Sequence, residues 1–144
     1  MFKGYVVTKD KKSIESIKNR LDFKTYDEIK HYIVNLLEYY SEDTMLVDID
    51  NQKESDILFK LVKDGEIKCR VYKTRRGKHF YFKNKKINKN STGTKLVIGL
   101  TADIKIGLKN SYGILKYDNE EREILYSTDK IEEIPYFYFL QKEN

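Results

Sequence analysis

Cysteine, proline and histidine are all scarce in this chain of 144 residues: one cysteine, one proline and two histidines. With Cys69 alone, neither a disulfide framework nor a multi-cysteine zinc site can form within the chain. A reducing setting is expected, the cytoplasm. The two histidines, His31 and His79, are far apart in sequence, so a rolling-circle initiator with its His-x-His pair is excluded. No apolar run approaches the ~18 residues of a membrane span, so no membrane partner is expected. The opening "MFKGYVVTKD" lacks the pattern of a signal peptide.

The most informative absence is of acidic residues. From Ile67 to Ala102 there is none, whereas the same window holds Lys68, Arg70, Lys73, Arg75, Arg76, Lys78, Lys83, Lys85, Lys86, Lys89 and Lys95. The net charge of +5 conceals this, because the rest of the chain is acidic. Basic residues interleaved with Tyr72, Phe80, Tyr81 and Phe82 are what a polyphosphate or nucleic-acid surface requires. The wealth of Lys, Asn, Ile and Tyr fits an AT-rich genome of the kind phages and mobile elements carry.

The length suits one domain, residues 1–144, with enough chain to bury a core without cross-links. "FKGYVVT" alternates as a strand does. "KSIESIKNRL" predicts a short helix. "TYDEIKHYIVNLLEYY" predicts a longer one: Thr25 and Glu28 form a capping box, and Ile29, Ile33, Leu36, Leu37 and Tyr40 form a stripe. "TMLVDID" reads as a strand ending in two acids. Asn51 then starts a further helix, with Ile57, Leu58, Leu61 and Val62 inward and Gly65 as its C-cap.

From Glu66 the period becomes two, with Ile67, Cys69 and Val71 on one side. "TRRGK" is a turn, "HFYFK" a strand and "NKKINKNSTGT" a mobile polar loop. "KLVIGL" and "ADIKI" are strands, or one strand bent at Gly99. "YGILKYD" and "EREILYS" form a hairpin, and "YFYFL" after Pro135 packs on the core. The expected fold is α+β: a mostly antiparallel sheet with helices on one face and an open face opposite.

Residues two apart on a strand share a face. Asp48 and Asp50 therefore point together, about 7 Å apart along the backbone, as do His79 with Tyr81 and Asp103 with Lys105. A sheet backed by helices would gather Asp48, Asp50, His79, Asp103 and Lys105 on its uncovered face. Converging carboxylates repel unless a cation lies among them, and hard oxygen ligands suit Mg²⁺ or Mn²⁺, as two ions in phosphoryl transfer. Nearby Arg, Lys and His would hold a triphosphate, and Gly77 in "RRGKH" would let backbone approach phosphate.

The ordered set resembles the bifunctional primase-polymerase branch of the archaeo-eukaryotic primase superfamily, often found in phages and plasmids. The set is an acid pair (Asp48, Asp50), glycine–x–histidine with aromatics (Gly77, His79, Tyr81), and a third acid in a "D-I-K" strand (Asp103, Lys105). A "YG" strand (Tyr112, Gly113) and "P-x-x-x-x-L" (Pro135, Leu140) follow. The resemblance implies an RRM-like catalytic core and template-dependent DNA primase or polymerase activity in the replication of a phage or mobile element, in the host cytoplasm if phage-encoded.

It further implies Asp48, Asp50 and Asp103 as metal ligands, and His79, Arg76, Lys78 and Lys105 as contacts to the incoming nucleoside triphosphate. The implied partners are a single-stranded DNA template, a primer and a replicative helicase, the last as a separate protein or as a domain of a longer chain. Lys105 stands where that family usually has arginine, Gly77 where serine is common, and the family's "PPS"-like strand end is replaced by "SYGILKYD". Two other readings use the same residues. One is a non-catalytic single-strand binder with Tyr72 and Tyr81 as stacking surfaces; the other is a metal-dependent nuclease.

Overall fold

The computed structural model describes the backbone of residues 2–9, 12–13, 25, 35–40, 43–107, 112–117 and 120–135, and the side chains of 25, 43–107 and 122–135. The fold is α+β. Strands β1 (Phe2–Lys9), β2 (Lys12–Ser13), β3 (Asn35–Tyr40), β9 (Tyr112–Tyr117) and β10 (Glu120–Glu121) form one sheet in the order β10-β9-β3-β1-β2. A second sheet joins β4 (Thr44–Ile49), β5 (Arg70–Lys73), β6 (Lys78–Lys83), β7 (Ser91–Lys95), β8 (Thr101–Ile106) and β11 (Ile124–Ser127). Its order is β11-β5-β6-β4-β8-β7, antiparallel throughout. Helix α1 (Gln52–Asp64) joins β4 to β5.

Alternation along β4 decides how the second sheet is layered. Met45, Val47 and Ile49 enter a cluster with Leu58 and Val62 of α1 and with Val71, Phe80, Phe82, Ala102, Ile104 and Ile106. Each of these residues is almost wholly buried. The intervening residues Leu46, Asp48, Tyr72, His79, Tyr81, Asp103 and Lys105 lie on the other face. Cys69 belongs to the core, as its place in the alternation implies, and burial pushes its thiol up to about 12. Ile57, expected inward, is half exposed.

Helix α1 starts as its sequence requires. Asn51 Oδ1 accepts the Glu54 N–H at 3.0 Å. The Glu54 carboxylate turns outward instead and accepts the Thr101 N–H at 2.9 Å, tying the helix start to β8. At the other end Glu66 N–H donates to Lys63 O and Ile67 N–H to Val62 O, the double closure of a Schellman ending. The left-handed residue of that ending is Glu66 (φ 52°), whereas Gly65 keeps a right-handed conformation.

Several sequence expectations change. Residues 35–40, expected to finish the long helix, form β3 between β1 and β9. A run as apolar as "NLLEYY" satisfies either period, and pairing on both sides settles it as a central strand. Lys12–Ser13 is a short strand in place of a helix start; the remainder of both expected helices lies outside the described residues. The "KLVIGL" segment is a turn closed by Leu96 N–H to Leu100 O and Gly99 N–H to Leu96 O, with Gly99 at φ 90°. Leu96 and Leu100 anchor that turn in the core.

Ser91 to Thr94, expected as the end of the mobile loop, lie in strand β7. Asn84 and Asn90 pin the residues before it. Asn84 Nδ2 donates to Ile87 O at 2.8 Å, its Oδ1 accepts Ile87 N–H at 3.0 Å, and Asn90 Oδ1 accepts Ile106 N–H at 2.8 Å. The expected "YGILKYD"–"EREILYS" hairpin is divided, since β9 pairs with β10 in one sheet and β11 pairs with β5 in the other. The "YFYFL" segment lies outside the described residues.

Replacing Glu66 by glycine removes the strain of a left-handed side-chain-bearing residue. Glu66→Gly is expected to stabilise the protein by about 0.5–1 kcal/mol, read as a higher urea midpoint at unchanged slope.

Candidate functional site

The register around β4 assembles the centre. Asp48 pairs with His79 of β6 on one side and with Asp103 of β8 on the other. Cross-strand partners stand with Cβ atoms about 4.5–5.5 Å apart, so an acid, an imidazole and a second acid form a row across three neighbouring strands. Lys105 is opposite Leu46 on the same face, and Tyr72 is opposite His79.

This face is only partly open. Leu46, Tyr72 and Tyr81 on it are buried as a small cluster of their own, with the two tyrosine rings edge to face at 5.5 Å. The His79 side chain is 10% exposed and that of Asp48 20%. Lys105 and Asp50 reach solvent.

Arg122, between β10 and β11, completes the row. Its Nη1 lies 2.7 Å from His79 Nδ1 and 3.4 Å from Nε2. A guanidinium can only donate, so this contact assigns Nδ1 as the acceptor and places the ring proton on Nε2. Nε2 lies 3.3 Å from Asp48 Oδ1. That contact is off the line of a well-formed hydrogen bond, and Oδ1 is buried with no other partner. Burial, reinforced by the charges of Arg122 and Lys105 and opposed by Asp48, pushes the His79 pKa down, so the ring is neutral. Burial alone would raise the pKa of Asp48. The close His79 ring, with the charges of Lys105 and Arg122, outweighs burial and holds it below the usual carboxylate range.

The remaining predicted residues are placed differently. Asp50 lies beyond the end of β4 and pairs at the surface with Arg76, Oδ2 to Nη2 2.6 Å. Asp103 Oδ1 accepts the Gly93 N–H at 2.8 Å. Lys78, expected beside the triphosphate, is on the opposite face with Phe80 and Phe82. Its ammonium is buried against Ser55 Oγ (3.1 Å) and the Asp56 carboxylate in the first turns of α1. Among the described residues no three His, Cys, Asp or Glu side chains meet closely enough to hold an ion.

Gly77 also has a different role from the one expected. A Cβ there would lie 1.9 Å from Ile49 O and 3.2 Å from Asn51 N. The close neighbour is the end of β4 rather than a phosphate, and the glycine fixes how the Thr74–Gly77 turn seats against the acid pair.

Compared with protein-family models, curated proteins and solved structures, the chain matches none.

Two outcomes are expected. Gly77→Ala forces backbone apart and costs about 2–4 kcal/mol, measurable by urea unfolding. Because the pKa of His79 is depressed, the unfolded chain takes up a proton there that the folded chain does not. Stability is therefore fully present above the ordinary histidine value, about 6.5, and is lost as pH falls below it, by at most about 1.4 kcal/mol per pH unit. His79→Gln is expected to flatten that part of the stability profile.

Proposed function

We propose that the protein is a metal-dependent nucleotidyltransferase that extends or primes a nucleic-acid strand on a single-stranded template, in the manner of a primase-polymerase. The observation that carries this reading is the row Asp103–Asp48–His79 across β8, β4 and β6, held by register. The topology is compatible with it. β4 and β5 flank β6 and are joined through α1, a split β-α-β unit, and β8 closes the other side of β4, as in the four-stranded core of an RRM-like sheet.

The donor set suits a hard cation in part. Asp48 and Asp103 are cross-strand partners, and Asp48 Oδ1 has unmet hydrogen-bonding capacity. Asp50 would complete the set by leaving Arg76. Their pairing is at the surface, with the Asp50 side chain half exposed, and such pairs are worth only about 0–1 kcal/mol. Bound Mg²⁺ or Mn²⁺ would supply Lewis-acid activation of a hydroxyl and charge for a triphosphate.

The chain's own residues do the rest. His79, neutral and with its proton on Nε2, is a donor and not a general base. Arg122 beside His79 and Lys105 on β8 bring positive charge to the row, where phosphate oxygens need it. Once Asp50 turns away, Arg76 becomes a further donor at the site mouth. Lys78 takes no part, because it is committed to α1.

Burial weakens the non-catalytic alternative in its stacking form. Tyr72 and Tyr81 are 4% and 1% exposed and offer no ring to a base. The test is incubation with single-stranded template, Mn²⁺ and labelled nucleotides, with and without a primer. Asp48→Ala is expected to reduce incorporation at least ~10³-fold while retaining a cooperative thermal transition. Full activity in that variant contradicts the assignment, and strand degradation without nucleotides indicates a nuclease.

A further inference from the structure

At the end of β4 and β6 away from Asp48 there is a cleft of about 290 Å³, lined by Met45, Lys83, Asn84, Lys85, Lys86, Ile87, Glu133, Ile134 and Pro135. Its composition is two-sided. Half-buried Ile87 and Pro135 give an apolar floor, with buried Met45 and Ile134 beside them, and three lysines against one glutamate give a positive rim. The lysines at the tip are not on a loose tail. Both ends of the Asn84 amide bind the Ile87 backbone, and Asn84 N–H donates to Asp43 O at 2.7 Å. Lys83 N–H donates to Glu132 O at 2.9 Å, which joins the two walls. A reverse turn braced in this way presents Lys85 and Lys86 to solvent with little ordering left to do, which is how preorganisation raises affinity.

We propose that this cleft is a second site, a binding site for single-stranded nucleic acid that takes backbone phosphates on Lys83, Lys85 and Lys86 and one base on the apolar floor. The choice of nucleic acid over another polyanion rests on the nucleotidyltransferase reading. The charge and size come from the cleft alone. A volume near 300 Å³ is at the small end of ligand sites, so it admits a flexible single strand at one nucleotide and not a duplex. Thr44 pairs with Lys83 and Asp48 with His79, so the cleft lies about four residues, roughly 13 Å, along the strands from the acid row. Recognition through ammonium groups and an aliphatic floor carries no base code and is salt-sensitive.

The test is binding and does not need turnover. A fluorescein-labelled oligothymidylate of about twenty nucleotides is titrated by anisotropy, and the ¹³C-methyl signal of Met45 reports on the cleft floor. Expected results are a shifted Met45 signal in the wild type, at least ~10-fold weaker binding and no Met45 shift for Lys85→Glu with Lys86→Glu, and an intermediate loss for the milder Lys85→Gln with Lys86→Gln. Lys53→Glu with Lys130→Glu makes the same charge change elsewhere and is expected to stay within ~2-fold of wild type. Asp48→Asn is expected to keep both binding and the Met45 shift, so failure of catalysis and failure of this site are read separately. Equal loss in both charge-reversal pairs, a Met45 signal indifferent to oligonucleotide, or displacement by polyglutamate as potent as by unlabelled oligonucleotide overturns the proposal.

Discussion

β4 is hydrogen-bonded on both sides, and its register with β6 and β8 is the constraint on which the rest depends. Met45, Val47 and Ile49 are buried against α1 and the flanking strands. A slip of one residue would turn all three onto the other face and drive Leu46 and Asp48 into the core. That penalty, several buried side chains at about 1.5–3 kcal/mol each, fixes the strand. Whatever is opposite Asp48 is therefore fixed with it, and what stands there is His79 and Asp103. Gly77 serves the same constraint, because only a residue without Cβ lets the β5–β6 turn close over the end of β4.

The electrostatics follow from that placement. A carboxylate and an imidazole, both largely removed from water, share one contact, and a guanidinium from a distant segment takes the other ring nitrogen. The acid stays ionised because the adjoining His79, with the charges of Lys105 and Arg122, outweighs burial, and the imidazole stays neutral because burial and those same cations oppose its protonation. The result is a fixed set of donors beside an anionic pair, which suits holding phosphate more than transferring protons. The sheet's other face spends its one buried lysine on structure: Lys78 docks α1 through Ser55 and Asp56.

Much of the row was legible from strand periodicity. Two-residue alternation placed Val47 and Ile49 inward and Asp48, His79 and Asp103 together on the opposite side, and Asn51 marked the helix start. The same alternation puts Lys78 with Phe80, and that signal argued against grouping it with His79. Arg122 was not legible. It reaches His79 across 43 residues of sequence, from a segment whose strands divide between two sheets, and no local pattern encodes that. The strand at 35–40 was hidden for a related reason, since its partners β1 and β9 are distant in sequence while its composition satisfies a helix. The lysine-rich turn at 84–87 read as loose because asparagine-to-backbone bonds, which brace it, leave no periodic trace.

On the proposed reading Asp48 and Asp103, completed by Asp50, hold a divalent cation for nucleotide chemistry. Paramagnetic broadening by substoichiometric Mn²⁺ in an amide-resolved NMR spectrum addresses it most directly. Selective loss of the signals around Asp48, Asp50 and Asp103 is expected, strengthened by a nucleoside triphosphate and abolished in Asp48→Asn. Broadening centred elsewhere, or none at these three positions with nucleotide present, would contradict it.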